Sequence, residues 1–337
     1  MVRPVSPIEA LEQAIHYLDR SFENGFKTKA FVRALDVVQS LPVGEVETRA
    51  ARGTLGELDG IGTSTAKLIT EVVETGTSAY LVKLDGETQI AISPEAKVYR
   101  DALKGDCHLH SRWSDGGASV EAMARAAASL GHDYIVLTDH SARLTIAHGL
   151  DRDRLVQQFD KIAAVRERVA PFRVLCGMEV DIFEDGTLDL DDDLLERLDV
   201  VVASVHSKLR QEHSEMTKRL VVAATNPHVD ILGHCTGRMI GKRPQSSFDA
   251  DAVFAACAEH NTAVEINCRP ERLDPPDDLL AKAVELGCHF SIDSDAHATG
   301  QLEWQPHGCD MAARVGVPLT RIINAFSVDD LREWAAG

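Results

Sequence analysis

The sequence predicts an α/β barrel preceded by a small all-α domain, with a doubly wound open sheet as the structural alternative. Three observations carry this. Residues 1 to about 76 read as helical. From 105 onward, seven short apolar runs alternate with helical stretches, the pattern of a parallel sheet with enough units to close. Six of those seven runs stop at His, Asp or Glu, the end where barrels keep their active sites.

At 337 residues the chain has room for two domains, one of them a barrel of roughly 250 residues. The hydrophobic share of 44% suits a soluble globular protein. No apolar run reaches the roughly 18 residues of a membrane helix, and no signal segment opens the chain, so a cytoplasmic location is expected. Seven scattered cysteines (Cys107, Cys176, Cys235, Cys257, Cys268, Cys288, Cys309) form no CxxC knuckle and read as reduced, buried thiols. A net charge of −18 argues against a general nucleic-acid-binding surface, although a cavity holding divalent cations would invert that sign locally.

The first domain is expected over residues 1–76. Ser6-Pro7-Ile8-Glu9 combines an N-cap, a first-turn Pro and a first-turn acid, starting a helix that runs to about Ser21. A second helix carries Phe31, Ala34, Leu35 and Val38 on one stripe within 29–40. Then Leu58-Asp59-Gly60-Ile61-Gly62-Thr63, between two short helices, forms a helix-hairpin-helix pattern. Gly60 and Gly62 let backbone amides approach a DNA phosphate, and Thr63 starts the next helix at that spot. Residues 6–76 resemble the small N-terminal domain of family X DNA polymerases, including the run Phe26-Lys27-Thr28-Lys29-Ala30-Phe31. Two departures matter. Residues 1–76 carry 8 Lys and Arg against 11 Asp and Glu, a net of −3 that favours no strong grip on DNA. The family's lyase-type lysine would fall at Leu68, with Lys67 about 100° away round the helix, so no lyase activity is implied.

Residues 77–104 read as a connector, in which residues 80–84 and 88–92 around Asp85-Gly86 suggest a small hairpin. No room remains for a polymerase palm. The second domain spans 105–337. Its strands are expected at 105–109, 133–138, 172–178, 199–205, 230–233, 263–267 and 289–293. Helices are expected near 119–130, 151–169, 190–197, 212–224, 249–260, 277–286 and 328–335.

The strand ends supply the chemistry. The first gives His108 and His110, two residues apart and so on one face of a strand, with Asp115 in the loop beyond. The others bring His140, Glu179, His206, His234, and Asp295 with His297. Any one of these alone reads best as a satisfied core residue. As a set they read as a metal site, because burying so many unpaired ionisable groups costs several kcal/mol each. Nine mixed ligands imply two or three divalent ions, and imidazole with carboxylate but no thiolate suits Zn, Mn or Fe better than Ca or Mg. His16, His132, His213, His228, His260 and His289 read as structural or exposed; His307 is left open. Arg143, Lys208, Arg238, Arg269 and Arg272 follow ligand-bearing strands as candidate phosphate clamps. Asp139 and Asp293 read as residues that orient ligands or loops.

In that order, HxH, SDG, TDH, GxE, SxH, GH and SDAH resemble the PHP (polymerase and histidinol phosphatase) domain over residues 105–337. Thr138-Asp139-His140-Ser141, Ala147-His148-Gly149-Leu150 and Glu265-Ile266-Asn267 with Arg272-Leu273-Asp274 are similar to the variety fused to bacterial family X polymerases. The resemblance implies a distorted (β/α)7 TIM-like barrel with a trinuclear centre. His108, His110, Glu179 and Asp295 would hold one ion. Glu179, as a bridge, would hold the second with His206 and His234, and Asp115, His140 and His297 the third. Glu179, His206 and Asp295 would then stand closest to catalysis.

Such ions favour in-line displacement at phosphorus. The expected function is a metal-dependent phosphoesterase on DNA, a 3′-5′ exonuclease or 3′-end-processing enzyme of DNA repair, with the hairpin domain holding DNA. One alternative is a small-molecule phosphomonoesterase acting on histidinol phosphate or a nucleotide. The other is a non-catalytic DNA-binding module. The expected partners are a phosphate ester and DNA, with no membrane.

Overall fold

The computed structural model describes residues 4–22 and 25–337, which divide into two compact units, one ending at Ile90 and the other running over Ala91–Gly337. In the first unit α1 (Pro7–Arg20), α2 (Gly25–Ser40), α3 (Glu45–Arg52), α4 (Thr63–Thr75) and α5 (Ala79–Thr88) enclose a core of Leu11, Leu18, Phe31, Leu68, Ile69 and Leu81. Ser6 caps α1 reciprocally: its hydroxyl accepts from the Glu9 amide at 3.2 Å, and the Glu9 carboxylate accepts from the Ser6 amide at 2.7 Å. Gly60 turns at φ +97°, where an added Cβ would stand 2.8 Å from Arg33 Cγ. Leu68, the position matching the lyase-type lysine, is buried in the core.

The hairpin expected around Asp85-Gly86 is instead α5. Tyr80-Leu81-Val82-Lys83-Leu84 fits a strand by alternation and a helix by the spacing of Leu81, Leu84 and Thr88, and burial of that second set decides. Arg20 anchors the helix, donating to Thr88 Oγ1 at 2.7 Å and to the Asp85 carboxylate at 2.7 Å. These contacts offset the roughly 1 kcal/mol that Gly86 costs inside a helix. The rest of the expected connector also folds: α6 (Pro94–Ala102) is capped by Ser93 and packs on a later helix of the second unit.

The second unit is the expected barrel. Its strands are β1 (Gly105–Leu109), β2 (Tyr134–Leu137), β3 (Arg173–Asp181), β4 (Val200–Ser204), β5 (Ile231–Leu232), β6 (Ala263–Asn267) and β7 (Phe290–Asp293). They pair in parallel in chain order. A parallel bridge between Leu109 and Ala296 and the bond from Asp295 N to His108 O at 3.0 Å close the sheet. Helices α7 (Val120–Ser129), α8 (Arg152–Val169), α9 (Asp192–Leu195), α10 (His213–Ala224), α11 (Ala250–Glu259), α12 (Asp277–Glu285), α13 (Gln305–Val315) and α14 (Val328–Ala335) surround it. Helix α13 was not expected. Its Gly308 breaks the helical signal, yet it lets the helix press onto β6 and β7, since an added Cβ would stand 2.4 Å from Cys268 Sγ. All seven cysteines are free and buried. Among the described residues no helix is long and apolar enough to cross a membrane.

At the entry end of β5, Asp230 accepts from the Val201 amide at 2.7 Å, and burial pushes its carboxyl up to about 7. The unfolded value is near 3.9, so ionisation of Asp230 opposes folding increasingly as pH rises from about 4 to about 7. Asp230→Asn keeps an acceptor for Val201. Its unfolding midpoint relative to the unsubstituted protein is expected to rise across that window and level off above it. Thermal unfolding from pH 4.5 to 8 checks this, and a difference that does not vary with pH counts against it.

Candidate metal centre

All nine candidate ligands meet at one mouth of the barrel because parallel strands end there together. His108 lies in β1, and His110 follows it on the same face. His140, His206 and His234 leave β2, β4 and β5, while Asp295 and His297 leave β7. Glu179 differs from expectation in detail, since β3 continues to Asp181 and the carboxylate projects from within the strand.

Glu179 is the hub. Its Oε1 stands 2.9 Å from His234 Nε2 and 3.2 Å from His206 Nε2. Its Oε2 stands 2.7 Å from His140 Nδ1, 3.4 Å from His108 Nε2 and 3.6 Å from His110 Nε2. Asp115 Oδ1 lies 3.4 Å from His297 Nε2 and 3.5 Å from His140 Nε2, and Asp295 Oδ1 lies 3.4 Å from His110 Nε2. Three overlapping groups could each hold an ion: His110, Asp115, His140 and His297; His108, His110 and Asp295; His140, Glu179 and His206.

Burial works to raise the Glu179 carboxyl, but the imidazoles of His206, His108 and His140 outweigh it and hold it well below the usual carboxylate range. Asp295 is likewise held well below the usual carboxylate range against its burial, by the neighbouring His110 first and then by His108 and Arg269. Burial, with His297 and His140 nearby, holds His110 well below the ordinary imidazole value, whereas the Glu179 carboxylate outweighs burial to raise His140 and His206. Both Glu179 oxygens, both His110 ring nitrogens, His108 Nε2, His140 Nδ1 and His234 Nδ1 are buried without a hydrogen-bond partner. Even the 2.7 Å approach of His140 to Glu179 lacks hydrogen-bond geometry. Convergent, unpaired imidazole nitrogens and carboxylate oxygens fit a cluster of divalent cations.

A supporting layer fixes these groups. Asp139 accepts from Ser111 N at 2.8 Å, Ser111 Oγ at 2.7 Å, Ser114 N at 3.1 Å and Gln158 at 2.7 Å, pinning the loop that presents Asp115. Asp293 accepts from the Cys107 amide at 2.8 Å. Asp181, two residues beyond Glu179, orients His206 through Nδ1 at 3.1 Å. Glu265 was not singled out as a site residue. Its Oε1 meets His108 Nδ1 at 2.6 Å, while Oε2 accepts from the His234 amide at 2.5 Å and from Asn267 at 3.3 Å. Asn267 in turn donates to Asp295 at 3.2 Å. The available signal was the alternation Glu265-Ile266-Asn267, which puts both polar side chains on the face the ligands share.

The candidate phosphate clamps separate. Arg269 and Arg272 line a cavity of about 260 Å³ over the centre, and Arg272 Nε lies 3.3 Å from Asp295. Arg143 is instead paired with Asp181 and Glu184, both at 2.9 Å. Arg238 donates to the backbone carbonyls of Arg272 and Leu273, and Lys208 is exposed outside the cavity lining. In the first unit, Gly60 and Gly62 border a groove of about 750 Å³ with Lys29 and Arg33, and Thr63 opens α4 just beyond its lining.

Residues 106–269 match the family model of the PHP domain, and residues 6–78 match a helix-hairpin-helix domain model. Over 248 residues, 71% of this chain, the sequence is 41% identical to the DNA polymerase/3′-5′ exonuclease PolX of Bacillus subtilis, of whose length the chain spans 44%. A "Probable phosphatase" of Thermoanaerobacter sp. (strain X514) is 30% identical over 240 residues, 68% of this chain and 93% of that protein. Another, from Caldanaerobacter subterraneus subsp. tengcongensis, is 26% identical over 242 residues, 68% of this chain and 89% of that protein.

Losing an orienting partner behind a metal ligand weakens metal binding about 10–100-fold. Glu265→Gln is therefore expected to raise by that factor the free Mn²⁺ or Zn²⁺ concentration giving half occupancy. Equilibrium dialysis with elemental analysis reads it; unchanged affinity would mean that Glu265 does not hold His108 for a metal.

Proposed function

This chain belongs to the PHP domain family, and we propose that it is a metal-dependent phosphoesterase that cleaves phosphodiesters at the 3′ end of DNA. The observation that carries the choice of DNA is the joining, in one chain, of a helix-hairpin-helix unit with the imidazole–carboxylate centre. The 41% identity to a polymerase with 3′-5′ exonuclease in its name supports it.

In this reading His108, His110, Glu179 and Asp295 would hold one ion, Glu179 with His206 and His234 a second, and Asp115, His140 and His297 a third. Divalent cations supply Lewis acidity, making water a nucleophile near neutral pH and offsetting charge on the attacking and leaving oxygens. In the hydrolysis the oxygen of water bonds to phosphorus, the P–O bond to the departing sugar breaks, and that oxygen takes up a proton. Arg269 and Arg272, which line the cavity, neutralise the non-bridging phosphate oxygens. Asp295 lies between Arg272 and His110 and keeps both aimed inward. Asp181 fixes the ring of His206 through its Nδ1, leaving Nε2 toward Glu179. Gly60, Gly62 and Thr63 present the helix-hairpin-helix backbone to DNA phosphates.

A second reading is a phosphomonoesterase for a small molecule. The near full-length match to a "Probable phosphatase" and the small cavity favour it.

One comparison separates the readings. Metal-loaded protein is offered labelled single-stranded DNA, histidinol phosphate and phenyl phosphate. Nucleotide release from DNA alone supports the first, and phosphate release from the small esters alone replaces it with the second. Turnover of none by protein loaded with Mn²⁺, Zn²⁺ or Fe²⁺ sinks both. Glu179→Gln is expected to lower kcat/KM on the true substrate by about 10³-fold or more, since it removes the shared ligand.

A further inference from the structure

The mouth of the cavity is not uniformly polar. Leu144 and Ile146, on the turn after β2, line one side of it, and Met239, on the loop after β5, lines another. In the chain-order barrel β2 and β5 are separated by β3 and β4, so the two loops face each other across the opening. Ile146 is 88% exposed.

Single exposed aliphatic residues are common on soluble proteins, but this one is held in place. Ala147 N bonds to Leu144 O at 3.0 Å, Leu150 N to His140 O at 2.7 Å, and Arg154 to the His148 carbonyl at 2.6 Å. The turn is thus tied to a candidate metal ligand, and its isoleucine stands beside the chemistry. Met239 is fixed by its amide, which bonds to Arg243 O at 2.9 Å, while its flexible thioether can follow a flat surface. Arg269 and Arg272 line the same cavity, so a phosphate bound between them and the metal ligands has Ile146 and Met239 on the walls available to its organic substituent.

We propose that Ile146 and Met239 form an apolar clamp for the nucleobase attached to the phosphate being hydrolysed, so that the site selects base-bearing phosphate esters. This rests on the phosphoesterase reading and narrows its substrate class to nucleotides.

The test uses Ile146→Ser, Met239→Ser and the unsubstituted protein, each loaded with metal. Two substrate pairs are compared: single-stranded DNA ending 3′ in a normal nucleotide or in an abasic one, and thymidine 5′-phosphate or deoxyribose 5-phosphate. The unsubstituted protein is expected to prefer the base-bearing member by about 10-fold in kcat/KM, and each variant to lose most of that preference. Metal content and unfolding midpoint are expected to stay unchanged. Equal preference in variant and parent, or no preference in the parent, overturns the clamp. If neither oligonucleotide is cut but the small pair is hydrolysed, the DNA reading fails and the small pair alone decides the clamp. Hydrolysis of none of the four overturns both.

Discussion

A single carboxylate, that of Glu179, is approached by imidazoles from β1 and from the segments that follow β1, β2, β4 and β5. No helix or loop could gather groups so far apart in the chain. A parallel barrel can, because every strand delivers its carboxyl end to the same rim. The requirement that these ends meet explains much of the rest. Apart from Arg173 at the start of β3 the strands are buried, the sheet closes through Leu109 and Ala296, and a layer of carboxylates behind the ligands holds their rings in orientation.

That arrangement is expensive for the polypeptide alone. Each buried polar atom left unpaired opposes folding by about 1–3 kcal/mol, and several lie within one small cluster. A domain's net stability is only about 5–15 kcal/mol, so the apolar core must over-determine the barrel while cation binding adds stability by linkage. The buried aliphatic clusters on both faces of the sheet supply the first term, and the ligand set is shaped for the second.

Charge distribution follows the same logic. A chain of net charge −18 suits no general polyanion surface, yet the cavity combines Arg269 and Arg272 with groups of imidazoles and carboxylates that could hold divalent cations. Local chemistry, rather than overall charge, makes the site attractive to phosphate. The arginines that turned elsewhere show how the selection is made. Arg143 is neutralised by Asp181 and Glu184, and Arg238 braces backbone carbonyls, so neither points its charge at the cavity.

The sequence by itself determined the alternation of strands and helices, the helix-hairpin-helix turn at Gly60-Ile61-Gly62, and the residues whose chemistry asks for metal. Such features depend on local spacing and residue type, which the chain carries along its length. Only the tertiary structure decided that residues 79–88 form a helix, since their pattern suits either period and the burial of Leu81, Leu84 and Thr88 against distant residues settled it. It alone placed Glu265 behind His108, separated the arginines that line the cavity from those that do not, and brought Ile146 and Met239 to the lining of one cavity. Those outcomes depend on which distant side chains become neighbours, and spacing along a chain does not encode that.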